Sequence, residues 1–271
     1  MQIERLNSFL HVNEEIPQIS SFVFAKVGPF SIANTTTTIF LITLIFIVGA
    51  FFVHRFKLKP SKVQHVFEML YETIEGFVAQ LVGSKEKGEA VTPYVGAIMV
   101  YLLIANLLPM FPFISSFYLH TGSGEEFPLF RGATTDFNTT FGLALAVIIF
   151  MQFFGVKEQG FFNYISHFLQ FKHVYRGFKK GIGEGFISII GFFVGLIEII
   201  SELAKIISLS LRLFGNMFAH EVLTIILLSA FAYFVPALWM GMGVLVGVVQ
   251  AIVFASLVGV YYSMATKKEE H

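Results

Sequence analysis

Long apolar runs separated by short polar segments dominate this chain and predict a bundle of membrane-spanning helices. Several runs reach about 18 residues or more, the length that a helix needs to cross the hydrocarbon core of a bilayer. The predicted spans cover residues 36–53, 92–118, 139–156, 186–228 and 237–262. We therefore expect an all-α integral membrane protein, organised as a single polytopic domain over residues 1–271.

One polar–apolar segment, residues 61–82, differs from the spans. Its apolar side chains recur at three- and four-residue steps, which is typical of an amphipathic helix. Polar side chains fill the other face, namely Lys62, Gln64, Glu68, Glu72 and Glu75. Two interpretations remain open: the helix lies along the membrane surface, or it packs on the other spans.

Two of the spans have unusual features: the second contains a proline, and the fourth is longer than a bilayer requires. Pro109 interrupts the second span, so we expect a kink or an early end of the helix there. The fourth span has 43 residues, and as one helix it would be roughly 65 Å long, about twice the hydrocarbon thickness. It is therefore strongly tilted or lies partly flat. Pro236 marks the turn into the last span.

Small residues recur every fourth position in the last span and favour close helix packing. With the preceding span they predict a tightly packed hairpin around Pro236. The ridge consists of Gly243, Gly247, Ala251, Ala255 and Gly259.

Composition supports the membrane assignment. Hydrophobic residues make up 55% of the 271 residues, charged residues 13%, and the mean hydropathy is +0.74. Soluble domains are only about 45–50% apolar. The chain has no cysteine, which excludes disulfides, thiolate catalysis and cysteine-based metal sites.

The placement of the 18 lysines and arginines predicts the orientation. Thirteen lie in segments assigned to the inside, including the basic segment 157–185, and three lie in segments assigned to the outside. Because basic residues are enriched on the cytoplasmic side, we expect an outside N-terminus and a cytoplasmic C-terminus. The remaining two, Lys205 and Arg212, lie within the fourth span.

Arg212 is the most unusual residue of the chain. A charge near the middle of a bilayer costs at least roughly 3 kcal/mol, so a functional role is the first expectation. On a helical wheel, Glu198, Lys205 and Asn216 share its face, whereas Glu221 points to the opposite side.

These polar residues also have other interpretations. Arg212 could form a structural ion pair with Glu198 or Glu202. Thr224 stands where a zinc-binding H-E-x-x-H motif starting at His220 needs its second histidine, so a zinc protease is excluded. Three further residues also have structural interpretations: helix–helix contact for Gln250, loop or helix capping for Asp136, and a partner for free backbone groups near Pro109 for Asn106.

Three segments carry a family resemblance. They are Ser208–Glu221 (SLSLRLFGNMFAHE), Gln250 in the last span, and Val260–Ala265 (VYYSMA). Together they resemble subunit a of the bacterial F-type ATP synthases. The two C-terminal spans match closely, and the first three match by hydropathy, orientation and the amphipathic segment.

The resemblance implies a role for each matching residue. Arg212 corresponds to the stator arginine that faces the rotating c-ring, and Asn216 and Gln250 to polar neighbours along the ion route. Glu221 corresponds to the acid of the outer half-channel, and Glu198 to an acid on the cytoplasmic side.

One position departs from part of the family. Some members have a histidine partner for Glu221 in the last helix, where this chain has Gly243. A histidine appears instead at His220, where those members have glycine. This pattern indicates a compensating exchange of the two residues.

The resemblance implies a non-catalytic, proton-translocating stator subunit in the cell (inner) membrane. It would supply two offset half-channels to the c-ring, with protons expected over sodium. Its partners would be the c-ring, subunit b, the other Fo and F1 subunits and the lipid bilayer, with no cofactor, metal or nucleic acid.

Two other classes were considered. A self-contained channel or secondary transporter predicts an internal repeat, and none is visible in the sequence. A membrane-embedded hydrolase or acyltransferase needs a nucleophile–base pair or a metal set, and the sequence shows no such constellation.

Overall fold

A computed structural model of the chain describes residues 21, 23–27, 30–55, 61–111, 114, 117–120, 126–162, 164, 182–231 and 234–267. Residues 1–20, Lys57, Lys59 and most of the basic segment 157–185 lie outside these ranges. The expectations that concern them lie outside the described residues as well.

Six long helices make up most of the described chain. They are α1 (Asn34–Val53), α2 (Lys62–Val82), α3 (Lys85–Leu107), α4 (Phe137–Gln159), α5 (Ile182–Ala230) and α6 (Phe234–Ala265). Within the described ranges, four segments are long and apolar enough to cross a membrane: α1, Lys85–Met110, α4 and α6. The prediction of an all-α integral membrane protein is confirmed. The count of five spans stays a prediction, since α5 is not among the four.

Helix α3 differs at both ends from the predicted span 92–118. It begins at Lys85 and contains Pro93, and the side chain of Thr92 donates to the carbonyl of Gly88 at 2.8 Å. The α-helix ends at Leu107, and Leu108–Met110 forms a 3-10 turn around Pro109. Proline lacks an N–H and clashes with the preceding turn. The early end expected at Pro109 is therefore present.

Helix α5 is one unbroken α-helix of 49 residues, which corresponds to roughly 74 Å. Pro236 is the third residue of α6, where a missing N–H costs little because the first amides of a helix have no partner within it. Helix α5 thus ends at Ala230 and α6 begins at Phe234, close to the predicted position of the turn.

Two short hairpins were not predicted from the sequence. Strand β1 (Val23–Val27) pairs antiparallel with β2 (Phe30–Ala33), which leads directly into α1. Strand β3 (Tyr118–His120) pairs with β4 (Glu126–Pro128). Each strand has only three to five residues, too few for a clear period-two pattern.

Contacts divide the chain into two compact units. The first comprises the described residues of Met1–Phe67, Ile98–Thr140 and Arg212–Val253. Its apolar core contains Ile42, Ala105, Leu108 and Ala133. Gly132 begins a second 3-10 turn, Ala133–Thr135, and a Cβ on it would meet Thr135 and Pro109 at 3.1 and 3.3 Å.

The second unit comprises the described residues of Glu68–Ala97, Phe141–Leu211 and Phe254–His271. Here the second half of α2 packs on its neighbours, with Val78 fully buried. A Cβ on Gly259 of α6 would lie 3.3 Å from Leu81. The first half of α2 exposes a row of apolar side chains: Val63, Val66, Phe67, Met69 and Leu70. The second half of α2 therefore packs on other helices, as one interpretation expected, and the location of the exposed row at the membrane surface stays a prediction.

Candidate functional site

Arg212 lies on an open face of α5. Its side chain is exposed, as are those of Ser208 and Asn216 one turn before and after it. Leu209 and Leu213 lie on a neighbouring, buried face of the helix and are at most 1% exposed. Within the described ranges, the guanidinium has no hydrogen-bond or ion-pair partner. The intrahelical ion pair with Glu198 or Glu202 that the sequence left open is not formed.

Asn216 and Gln250 are hydrogen-bonded to each other. The amide nitrogen of Asn216 donates to Oε1 of Gln250 at 2.7 Å. Gln250 is only 4% exposed, and its own amide nitrogen has no partner within the described part of the chain. Buried polar groups are usually hydrogen-bonded, so this N–H group is available to donate to a water molecule.

Asn106 presents a second unpaired group in the same unit. Its amide nitrogen donates to the carbonyl of Gly247 at 3.1 Å, and Gly247 permits this approach because a Cβ there would lie 3.2 Å from the Cβ of Asn106. The Oδ1 atom of Asn106 is buried and has no partner among the described residues. Asn106 thus donates to a backbone carbonyl of α6, and not to the Pro109 turn for which the sequence suggested it.

His220 fills the space above Gly243. A Cβ at position 243 would overlap the Nε2 and Cε1 atoms of the imidazole and would lie 2.9 Å from the methyl group of Met110. The imidazole also stacks on Trp239, with ring centroids 5.4 Å apart and planes inclined by 18°. The indole N–H of Trp239 donates to the carbonyl of His220 at 3.4 Å.

Glu221 pairs with Arg131, which precedes the 3-10 turn Ala133–Thr135. The Nε atom of Arg131 donates to Oε1 of Glu221 at 3.1 Å, and a terminal nitrogen donates to Oε2 at 3.4 Å. The side chains are 9% and 28% exposed, respectively. Sequence reasoning counted Arg131 only as an outside loop charge and did not connect it with Glu221.

Asp136 caps α4 and accepts hydrogen bonds from two hydroxyl groups. Its Oδ1 accepts a hydrogen bond from the backbone N–H of Asn138 at 2.8 Å. Its Oδ2 accepts hydrogen bonds from the hydroxyl of Thr35 at 3.2 Å and from the hydroxyl of Ser21. This agrees with the capping interpretation of Asp136.

The second unit contains a separate charged cluster. Glu202 is paired with Lys205 and accepts the amide of Gln152 at 2.7 Å. The ammonium of Lys205 lies 5.1 Å from the ring centroid of Tyr261. Burial, with Glu202 and Glu198 nearby, raises the pKa of Tyr164 to about 12. Glu198 therefore lies in a polar group together with Tyr164 and Glu202.

The small-residue ridge of α6 is buried along its length. Gly243, Gly247, Ala251, Ala255 and Gly259 all lie inside the structure. As described above, Gly243 adjoins His220 on α5, Gly247 adjoins Asn106 on α3, and Gly259 adjoins Leu81 on α2.

Comparison with known proteins identifies the family. Residues 35–263 match the family described as ATP synthase A chain. The chain belongs to this family. It is 34% identical to ATP synthase subunit a of Desulforamulus reducens, over 78% of this chain and 70% of the relative. It is 31% identical to the subunit of Moorella thermoacetica, over 86% and 91%, and 28% identical to that of Alkalihalophilus pseudofirmus, over 96% and 100%.

The resemblance inferred from the segment Ser208–Glu221 is thereby confirmed. As a member of the ATP synthase A chain family, this protein is a multi-pass membrane component of the Fo sector, where it has a stator role in proton translocation. The roles of individual residues stay predictions. The structure brings Asn216 and Gln250 together and His220 and Gly243 together, and it adds Arg131 as the partner of Glu221.

Proposed function

We propose that this subunit supplies two offset proton half-channels to a c-ring, and that Arg212 separates them. The observation that carries the proposal is Arg212, which is exposed on a face of α5 together with Ser208 and Asn216 and has no partner among the residues that the structure describes. An arginine at membrane depth does not face lipid without a large cost, so it needs a partner on this face. A ring of c subunits with a carboxyl group on each would provide that partner.

The mechanism follows from the charge of Arg212. A ring carboxyl can cross the lipid only when it is neutral, because burying its charge in hydrocarbon is prohibitive. Next to a guanidinium the carboxylate is favoured, so the carboxyl releases its proton there. Arginine does not deprotonate in proteins, so it cannot pass protons between the two routes. Proton flow is then coupled to rotation of the ring.

Glu221, His220, Asn216 and Gln250 form the outer route in this proposal. The unpaired buried groups of Asn106 and Gln250 support it, because polar cavities with such groups hold hydrogen-bonded water. A water chain past these amides would link Glu221 with the ring face of α5.

Glu198 forms the cytoplasmic route, with Tyr164 nearby as a protonated phenol. The subunit has no catalytic chemistry of its own and needs no cofactor. The N-terminus lies outside and the C-terminus in the cytoplasm, as the distribution of lysine and arginine predicts. Subunit b and the remaining Fo and F1 subunits complete the partners.

Replacing the central cation tests the proposal. We expect Arg212→Ala to abolish ATP synthesis and ATP-driven proton pumping in inverted vesicles, whereas ATP hydrolysis by F1 continues. Arg55→Ala is the matched control, because Arg55 is also exposed and lies at the end of α1. Retained ATP synthesis in Arg212→Ala vesicles would refute the assignment.

Isolation of the complex tests the partners. We expect the subunit to co-purify in mild detergent with a c-ring and the peripheral ATPase. A monomer that conducts protons alone would instead favour a self-contained channel.

A further inference from the structure

The contact between Arg131 and Glu221 joins a loop residue to the acid of the proposed outer route. Both carboxylate oxygens are engaged, at 3.1 and 3.4 Å, by two nitrogens of one guanidinium. Such two-point pairs fix orientation as well as charge, because the planar guanidinium matches the planar carboxylate. Neither side chain is fully exposed, so solvent screens this pair less than a surface ion pair.

The backbone of Arg131 is held in place by neighbouring contacts. The hydroxyl of Thr38 on α1 donates to the Arg131 carbonyl at 2.7 Å, and that of Thr37 donates to the Leu129 carbonyl at 2.6 Å. The following residue, Gly132, lies so close to Pro109 and Thr135 that a Cβ there would be within 3.3 Å of both. The guanidinium thus contacts Glu221 from a backbone segment that α1 holds in place.

We propose that Arg131 is a positioning residue for proton uptake at Glu221: it orients the carboxylate and must release one of its oxygens before a proton binds there. The inference rests on the proposed function, in which Glu221 receives protons on the outer side.

Other charged groups of the same unit do not take over this role in the structure. Helix α1 has no titratable side chain between Asn34 and Val53, and α6 has none between Phe234 and Val253. Asp136 is occupied by its cap and by two hydroxyls. His220 precedes Glu221 in the chain, but its ring lies over Gly243 and against Trp239. Further titratable groups with described side chains in this unit are His54, Arg55, Lys62, His65, Tyr101, Tyr118 and Arg212.

The test measures proton conduction through the complete Fo sector. Inverted vesicles are stripped of F1, loaded at a series of lumenal pH values, and driven by a potassium diffusion potential. The lumen corresponds to the outer side, so the series titrates the outer route. Four forms are compared: the native chain, Arg131→Gln, Arg131→Lys, and Lys85→Gln as a matched control. Lys85 is a cation in an exposed ion pair with Glu89.

We expect Arg131→Gln to move the pH of half-maximal conduction upward, because the variant removes the positive charge that contacts both carboxylate oxygens of Glu221. Arg131→Lys should keep the native midpoint but lower the maximal rate several-fold, since an ammonium keeps the charge and loses the two-point geometry. Lys85→Gln should resemble the native form.

A contact that only stabilises the loop would change the amount of assembled complex and leave the midpoint where it is. An unshifted midpoint in assembled Arg131→Gln therefore overturns the proposal. If this variant does not assemble, Arg131→Lys decides: a native midpoint with a lowered maximum supports the proposal, and a fully native profile overturns it.

A separate variant distinguishes a failure of this inference from a failure of the proposed function. Glu221→Gln should abolish conduction if Glu221 belongs to the outer route. If it conducts normally, the proposed route is wrong. If it is inactive and Arg131→Gln shows no shift, only the role of Arg131 is wrong.

Discussion

The imidazole of His220 on α5 occupies the volume that a side chain at Gly243 on α6 would need. The resemblance implies glycine at 220 and histidine at 243 in some family members, so the reversed pair in this chain stays a predicted exchange. A Cβ at position 243 would overlap the Nε2 and Cε1 atoms of His220, so a side chain there requires the imidazole to move.

The first prediction concerns this exchange. Gly243→His should reduce ATP-driven proton pumping at least tenfold, because the added imidazole would displace the ring of His220. The double variant His220→Gly with Gly243→His should recover a large part of the activity, and fluorescence quenching in inverted vesicles measures both. Gly241→His is a suitable control, because Gly241 is exposed and a Cβ there meets nothing within 4 Å. No recovery in an assembled double variant would contradict the exchange.

The role of the ring itself is a second prediction. His220→Gly should slow proton uptake from the outer side and shift its pH dependence, because imidazole is the side chain that titrates near neutral pH. Proton conduction in F1-stripped vesicles at varied lumenal pH provides the measurement. An unchanged pH profile would count against a relay role and leave His220 as a packing residue against Trp239.

The helical repeat predicted which residues of α5 share a face. The repeat of a helix is fixed, so the wheel placed Arg212 and Asn216 on one face, and both share the open face in the structure. The same repeat placed Glu221 away from Arg212. Proline chemistry likewise predicted the end of α3 near Pro109.

Contacts between distant segments could not be predicted in this way. Arg131 and Glu221 are 90 residues apart, and their meeting depends on a loop held by threonines of α1. The amide of Asn106 reaches Gly247 across 141 residues. Two sequence features were related to these contacts: Arg131 is a single cation in an acidic loop, and α6 has a ridge of small residues. Neither feature indicates which residue is contacted.

The third prediction concerns the pair of Glu202 and Lys205. Removing one member of a buried ion pair leaves the other charge uncompensated, which costs about 3–5 kcal/mol when burial is complete. The side chains here are 22% and 14% exposed, so we expect a smaller loss for Lys205→Met, on the order of 1–3 kcal/mol. The double variant with Glu202→Gln should recover part of it.

Thermal unfolding of the detergent-solubilised complex measures this loss. Lys85→Met is the control, because its pair with Glu89 is exposed and such pairs contribute roughly 0–1 kcal/mol. Equal losses for the two lysines would show that Glu202 does not depend on Lys205.

The last prediction concerns Tyr164 at alkaline pH. Burial, with Glu202 and Glu198 nearby, raises the pKa of its phenol from 10.0 to about 12. Below pH 10 the phenol is protonated in both the folded and the unfolded chain. Between pH 10 and pH 12 the folded chain retains the proton and the unfolded chain loses it, so stability falls as pH rises through this window. Tyr164→Phe cannot titrate and should show a shallower decline of Tm from pH 9 to pH 11. Tyr118→Phe serves as the control, because Tyr118 is 55% exposed. If Tyr164→Phe declines as steeply as the native protein, the phenol does not contribute to alkaline unfolding.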